Sequence, residues 1–311
     1  MTDVRVGVLL WPQTDSWPAL RDAAIRADRL GLDSLWTWDH LMSIVGPWEG
    51  PILEGWSTLT ALAAVTEHPT LGLMVGANTF RNPGLTAKLA TTLDHVSNGR
   101  AILGIGGAWF GREHDAYGID FMSGFGERLD KLDEAVMLLR RLLDGERIAA
   151  HEGRFYTLRD ALVAPRPIQA KLPILIGGSG PQKTLRTTAR YADAWNAGGS
   201  VEELKRKDAV LRERCAEVGR NPDEIERTMS DWFLIRDDAA EARRVLGRLA
   251  AANGDTLGAD DTVYVGSPQQ IADELRPIVE LGFRHIIIDA LAPYDVETID
   301  RLPELRELLA S

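Results

Sequence analysis

With 311 residues, 45% of them hydrophobic, the chain can fill one large core, and its formal charge of −11 opposes a phosphate backbone with no basic, aromatic-interleaved stripe to offset it, which sets nucleic-acid binding aside. The single cysteine, Cys215, can form neither an internal disulfide nor a CxxC metal site. The opening Met1-Thr2-Asp3 carries no basic-then-apolar leader, and no apolar run approaches the roughly 20 residues of a membrane span, so a cytoplasmic chain with no membrane partner is expected.

Val4 to Leu10 is β-branched and apolar, stops at Trp11-Pro12, and gives way to a helical pattern from Trp17 to Leu30 that Gly31 ends. A second strand, Ser34 to Trp38, leads into a long loop with Gly46-Pro47 and Gly50-Pro51, then a small-residue helix from Gly55 to Thr66. Leu71 to Thr79 reads as strand three, Pro83 opens a helix to His95, and Arg100 to Gly106 is strand four. The rhythm then breaks twice. Gly107 to Gly126 shows no sustained period before the helix Glu127 to Leu143, and Asp144 to Leu172 is a second insertion, expected to cover the mouth of the fold. Regularity returns with strand Pro173 to Ile176, helix Pro181 to Tyr191, strand Ala194 to Asn196 and a charged helix Val201 to Val218. Strand Thr228 to Ile235, a helix near Asp238 to Asn253, the segment Thr262 to Gly266, helix Pro268 to Leu281, strand His285 to Asp289 and a helix Val296 to Leu309 complete the chain.

Eight strand–helix units fit an α/β fold closed as a single-domain (β/α)8 TIM barrel over residues 1–311, with insertions after strand four and before strand five. An open doubly wound sheet would also alternate, but no Gly-x-Gly-x-x-Gly opens the first helix. Closure brings all strand ends to one rim, so residues there are the candidates for chemistry. Asp39 and His40 follow strand two: the pair suits proton transfer, or else Asp39 caps a turn and His40 packs in the loop. Gly177-Gly178-Ser179-Gly180, between a strand and a helix start, can bring backbone N–H groups to a phosphate, or can simply turn tightly. Gly104, Gly106 and Gly107 form a second such cluster, and the two together favour a phosphate-bearing cofactor.

Nine tryptophans is a high count, and those at predicted strand ends or in rim loops could wall a pocket for a flat ring or serve as core. Trp11, Trp48, Trp195 and Trp232 are the substrate-side candidates. The six histidines lack metal-ligand spacing and no lysine ends a strand, so neither a catalytic metal nor Schiff-base chemistry is expected. Arg112-Glu113-His114 and Tyr117, in the first insertion, could serve the mouth, although loop anchoring is the favoured reading.

Four stretches carry a family resemblance: Ser34 to His40; Leu71 to Pro83 with its Asn78-Thr79-Phe80-Arg81-Asn82-Pro83 ending; Ser97 through Trp109 with Glu113 to Gly118; and the Ile176 to Gly180 turn. In these the chain resembles the bacterial-luciferase-like flavin and deazaflavin oxidoreductases, and its Asp-His and strand-three ending are most similar to the branch that uses the deazaflavin coenzyme F420. The resemblance implies a homodimeric barrel that moves hydride between F420 and a small organic molecule. It places Asp39 and His40 beside the ring, with His40 steadied by Asp39. It also implies a cis Met74-Val75 bond behind the ring, and a cofactor set of Met74, Val75, Asn78, Gly106, Gly107, Trp109, Gly177, Gly178, Ser179 and Gly180. Glucose-6-phosphate-oxidising members carry an acidic residue where Trp109 stands, and the rim here is aromatic rather than basic, so an uncharged substrate is expected. The rivals are an FMN-dependent monooxygenase on the same fold, using reduced flavin and oxygen, and a barrel that binds a ligand without catalysis.

Overall fold

β1 (Arg5–Leu10) lies between β2 (Ser34–Thr37) and the last strand of the chain, and that contact closes the sheet. In the computed structural model, which describes residues 3–254 and 263–311, the strands are, in order, β1, β2, β3 (Thr70–Leu73), β4 (Gly76–Ala77), β5 (Ala101–Gly106), the pair β6 (Ile148–Glu152) and β7 (Thr157–Ala161), β8 (Ile174–Gly177), β9 (Ala194–Asn196), β10 (Glu226–Ile235), β11 (Val263–Gly266) and β12 (Phe283–Ala290). Parallel pairing runs β1, β2, β3, β5, β8, β9, β10, β12 and back to β1, an eight-stranded closed barrel. β11 adds to β10 outside that circle; Met1, Thr2 and Thr262 lie outside the described residues.

Helices α1 (Trp17–Arg29), α2 (Gly55–Val65), α3 (Pro83–Val96), α4 (Gly111–Tyr117), α5 (Phe125–Leu143), α6 (Thr184–Tyr191), α7 (Val201–Glu217), α8 (Ala239–Ala252) and α9 (Pro268–Glu280) follow in chain order. Their ends are set locally: Asn82 caps α3 with Pro83 at its first turn, and Ser200 with Glu203 and Ser267 with Gln270 form capping boxes on α7 and α9. The expected final helix is broken into α10 (Val296–Asp300) and α11 (Leu302–Ala310), because Pro303 supplies no N–H to continue the first. No helix among the described residues is long and apolar enough to cross a membrane.

The expected strand Leu71 to Thr79 is also interrupted. After Leu73 the chain bulges through a cis Met74-Val75 peptide and rejoins β5 as β4. Gly104 makes room for the bulge, since a Cβ there would lie 1.8 Å from the Leu73 carbonyl oxygen. Gly104→Ala must therefore displace backbone, and is expected to destabilise the fold by about 1–3 kcal/mol in urea unfolding, whereas Gly247→Ala, in helix α8 with open space around it, costs nothing or stabilises.

The second insertion does not cover the mouth. Residues 144–172 contain the antiparallel β6–β7 hairpin and dock on the outer helices, where Asp94 of α3 accepts from the Ile168 and Gln169 N–H groups (2.7 and 3.1 Å) and Glu134 of α5 accepts from Phe155 and Tyr156 (3.1 and 3.0 Å). Its apolar residues, Ile148, Tyr156 and Leu158, are spent on that outer core.

Alternation along the strands fills the barrel interior with Leu9, Trp36, Ile102, Leu175 and Ile287. Trp36 lies against Gly72, and its indole donates to Ser34 Oγ (2.7 Å), which in turn bonds His285 Nε2 (2.7 Å). Burial, aided by the nearby Arg5 cation, pushes the His285 imidazole from 6.5 down to about 3, so it is neutral in the fold. The unfolded chain binds that proton first. The stability His285 contributes is complete above pH 6.5 and is lost as pH falls toward 3, at about 1.4 kcal/mol per pH unit. Urea unfolding between pH 6.5 and 4 is expected to show a shallower pH slope in His285→Gln; an unchanged slope refutes the assignment.

Candidate functional site

A cavity of about 380 Å³ opens at the C-terminal ends of the barrel strands. Of the residues singled out from sequence, Asp39, His40, Met74, Val75, Gly106, Gly107, Trp109, Gly177 and Gly178 all line it. Loops separated by more than a hundred residues thus meet in one place.

The bulge organises the cavity wall. Val75 lies over both glycine clusters: a Cβ on Gly106 would be 2.7 Å from Val75 Cγ2, and one on Gly177 would be 2.9 Å from Val75 Cγ1. Side chains at either position would push Val75 away, so glycine keeps the wall as bare backbone. Gly178 follows with φ of +104°, a conformation open to glycine, and its carbonyl accepts the Trp195 indole N–H at 2.8 Å.

Asp39 and His40 are adjacent in sequence and both line the cavity, but they take different partners. Asp39, 2% exposed, accepts from the Ala77 N–H (2.9 Å) and from both terminal nitrogens of Arg81 (2.6 and 3.0 Å). Arg81 also donates to Glu54 (2.8 Å), the N-cap of α2. Burial pushes the Asp39 carboxyl up, against the opposing pull of Arg81 and the Ala77 N–H. Asp39 therefore pins the chain leaving the bulge, and the expectation that it steadies His40 is corrected.

The partner of His40 is Glu113. His40 Nδ1 lies 2.9 Å from Glu113 Oε1, and Glu113 Oε2 accepts the Leu41 N–H at 2.8 Å. Glu113 is 1% exposed on α4 and lines the cavity, so it serves the mouth, where the sequence favoured anchoring. A carboxylate at Nδ1 holds that nitrogen as the donor and leaves Nε2 to exchange a proton. The neighbouring His114 is the anchor, bonded to Phe110 O (2.9 Å) and Thr79 Oγ1 (2.6 Å). Trp109, 61% exposed, stands edge-on to His40 at the rim (centroids 5.5 Å apart).

Other candidates lie elsewhere. Asn78 is buried behind the wall, where its N–H donates to Gly106 O (3.1 Å) and its Oδ1 accepts the Tyr156 hydroxyl (3.4 Å). Ser179 and Gly180 sit beyond the lining, in the turn before α6, which starts at Thr184 rather than Pro181. Lys183, in the turn just before α6, donates to Gly126 O and pairs with Asp130. Among the substrate-side tryptophans, Trp11 and Trp232 continue inward from Trp38 (Trp11–Trp38 centroids 4.7 Å, Trp11–Trp232 5.5 Å), Trp48 stacks outside under Arg112, and Trp195 is buried on the helix side against Phe283. None of these four lines the cavity. The substrate-wall expectation is corrected for Trp195 and Trp48. Residues not singled out do line it: Ile44, Phe125, Asn196, Ser230 and Asp289.

The features suit a flat, phosphate-bearing ring: a convex side chain to back it, bare glycine backbone beside it, and a histidine–carboxylate pair within the same cavity. The buried Trp38 indole N–H also has no acceptor among the described residues.

Comparison with known proteins agrees with that description. A profile of the luciferase-like monooxygenases matches residues 2–256. The F420-dependent glucose-6-phosphate dehydrogenase of Kineococcus radiotolerans is 33% identical, over 87% of this chain and 86% of its own length. The phthiodiolone/phenolphthiodiolone dimycocerosates ketoreductase of Mycobacterium sp. (strain JLS) is likewise 33% identical, over 85% and 74%. Among solved structures, an F420-dependent secondary alcohol dehydrogenase in complex with an F420–acetone adduct superposes with a TM-score of 0.85 over 99% of this chain and 100% of that one; at 21% identity the likeness is one of fold.

Proposed function

The chain belongs to the luciferase-like monooxygenase family, and we propose that it is an F420-dependent oxidoreductase that passes hydride between the deazaflavin and a small, uncharged organic substrate. The observation that carries this reading is the shared cavity, where the Val75 bulge and the Gly106 and Gly177 backbone lie together with the His40–Glu113 pair. Bound F420 supplies a hydride donor or acceptor at one ring carbon.

The protein's own tasks are position and protonation. Met74, Val75 and Gly76 would back the ring, and Gly106, Gly107, Gly177 and Gly178 would leave room for the chain that bears its phosphate. His40 gives or takes the proton that accompanies hydride at Nε2, with Glu113 holding Nδ1. The relatives' names, dehydrogenase and ketoreductase, support an alcohol–carbonyl couple. Among the described residues no lysine or arginine lines the cavity, which favours an uncharged substrate over a sugar phosphate.

Titration of the purified protein with F420 and with FMN, each followed by its ring absorbance, tests the proposal. F420 is expected to bind at least about tenfold tighter, a difference of roughly 1.4 kcal/mol. Tight FMN binding with no response to F420 would overturn it and leave the flavin monooxygenase reading.

A further inference from the structure

Three chain segments at the rim are tied to one another in a closed triangle of hydrogen bonds. Asp39, which opens the segment 39–41, accepts the N–H of Ala77 (2.9 Å), which opens the segment 77–79. Thr79, two residues on, bonds His114 Nε2 (2.6 Å). Glu113, the residue before His114, closes the triangle through His40 Nδ1 (2.9 Å) and the Leu41 N–H (2.8 Å). Asp39, His40, Ala77 and Glu113 line the cavity, whereas Thr79 and His114 stand behind it.

The Thr79–His114 side is rigid. Both residues are buried, and the imidazole packs against the rings of Phe80 and Phe121 (centroids 4.9 and 4.3 Å away). Its Nδ1 faces the Phe110 carbonyl (2.9 Å), which can only accept, so in the neutral ring that nitrogen carries the proton and Nε2 accepts from the Thr79 hydroxyl. Helix α4 has seven residues and no side-chain cap at its start, too little to hold its own place without tertiary contacts. Among the described residues, its other hydrogen bonds to the barrel, from Glu113 and the Tyr117 hydroxyl, all go to residues 40 and 41. Attachment to one segment alone leaves a hinge. The bond to Thr79 removes it.

We propose that Thr79 and His114 are positioning residues for the proton step: they fix the angle of α4, and with it the Glu113 carboxylate that keeps the His40 proton on Nδ1 and leaves Nε2 free. Neither touches the reacting atoms. Both act through Glu113, whose grip on Nδ1 depends on α4 staying where the third side of the triangle puts it. The role deepens the proposed function and rests on it only in naming His40 the proton carrier.

Nitrogen-15 NMR of protein labelled in histidine tests this without cofactor, His40 being assigned from the signals lost in His40→Ala. At pH 8 the wild type is expected to show a protonated Nδ1 and a bare Nε2 on that ring. Thr79→Val keeps the shape and removes the hydroxyl; it is expected to move the two signals toward each other as the tautomers mix, and Thr79→Ser to restore the wild-type pattern. With F420 and cyclohexanol, kcat per folded molecule is expected to fall about tenfold in Thr79→Val, with KM and F420 affinity within about twofold, and to return in Thr79→Ser. If Thr79→Val does not fold because His114 Nε2 is left buried without a donor, the double variant Thr79→Val/His114→Phe, apolar on both sides of the contact, carries the same expectation. A role in stability alone lowers the unfolding midpoint and leaves the His40 signals unchanged. That result, an unchanged kcat in folded Thr79→Val, or a wild-type ring protonated at Nε2 overturns the proposal. Tautomer mixing in a protein that does not bind F420 would remove the proposed function and leave this support for His40 standing.

Discussion

Replacing Arg81 with methionine is expected to cost about 3–5 kcal/mol of folding stability at neutral pH, because it strands the Asp39 carboxylate where water cannot reach it. The two Arg81 nitrogens are its main compensation, and the remaining Ala77 N–H is one hydrogen bond. Burial already pushes the Asp39 carboxyl up, and without the guanidinium it rises further. The sign of the pH dependence follows. In Arg81→Met the folded carboxyl titrates above its unfolded value, so the penalty is largest at high pH and shrinks as Asp39 takes up a proton. Combining Arg81→Met with Asp39→Asn removes the stranded charge and is expected to recover most of the loss, since a neutral amide can still accept from Ala77. Urea unfolding of the two single variants and the double, at pH 5 and pH 8, decides the matter: additive losses would mean that the pair is not coupled.

This pair also shows how far the sequence could be read. Alternating apolar strands and amphipathic helices are local patterns, and they sufficed for the eight staves, their order and the rim where Asp39, Gly107 and Gly178 meet. What local pattern cannot display is a partner chosen across the fold. Asp39 and His40 looked like a unit because they are neighbours in sequence, yet in the fold each takes a separate partner, Arg81 for one and Glu113 for the other. Glu113 was noticed but read as a loop anchor, because α4 has seven residues, too few for a helical period to show which way it faces. Tryptophan placement was misjudged by the opposite error, weighing residue type over direction. Ala194 and Asn196 face into the barrel, so Trp195 between them must face the helices, and the same alternation puts Ser230 inward with Thr228 and Trp232. That signal was present in the sequence and identifies Ser230. The interruption of strand three was legible only through family resemblance, since nothing in Leu71 to Thr79 breaks a β pattern except Gly72 and Gly76.

His40→Ala is expected to lower kcat by about 10²–10⁴-fold, the range of a positioned general acid or base, while F420 affinity changes little. The variant leaves Glu113 bonded to the Leu41 N–H, so the loop keeps one of its two anchors. Glu113→Gln separates proton exchange from positioning. A carboxylate accepts only, and so holds the His40 proton on Nδ1; an amide can donate there as well and lets the ring settle with its proton on Nε2, the wrong state for accepting one. The expected result is a fall in kcat of roughly 10²-fold with KM nearly unchanged, since removing the carboxylate that orients a catalytic imidazole costs rate rather than binding. Glu113→Asp keeps the charge on a shorter arm and is expected to recover part of that loss, which a purely structural role for Glu113 would not give. Stopped-flow oxidation of cyclohexanol by oxidised F420, the direction in which His40 accepts the proton, followed by deazaflavin absorbance across pH 5–9, measures all three variants. Turnover of His40→Ala at the wild-type rate across that range would show that the accompanying proton does not pass through this imidazole, and would move the search for the proton carrier to other cavity side chains.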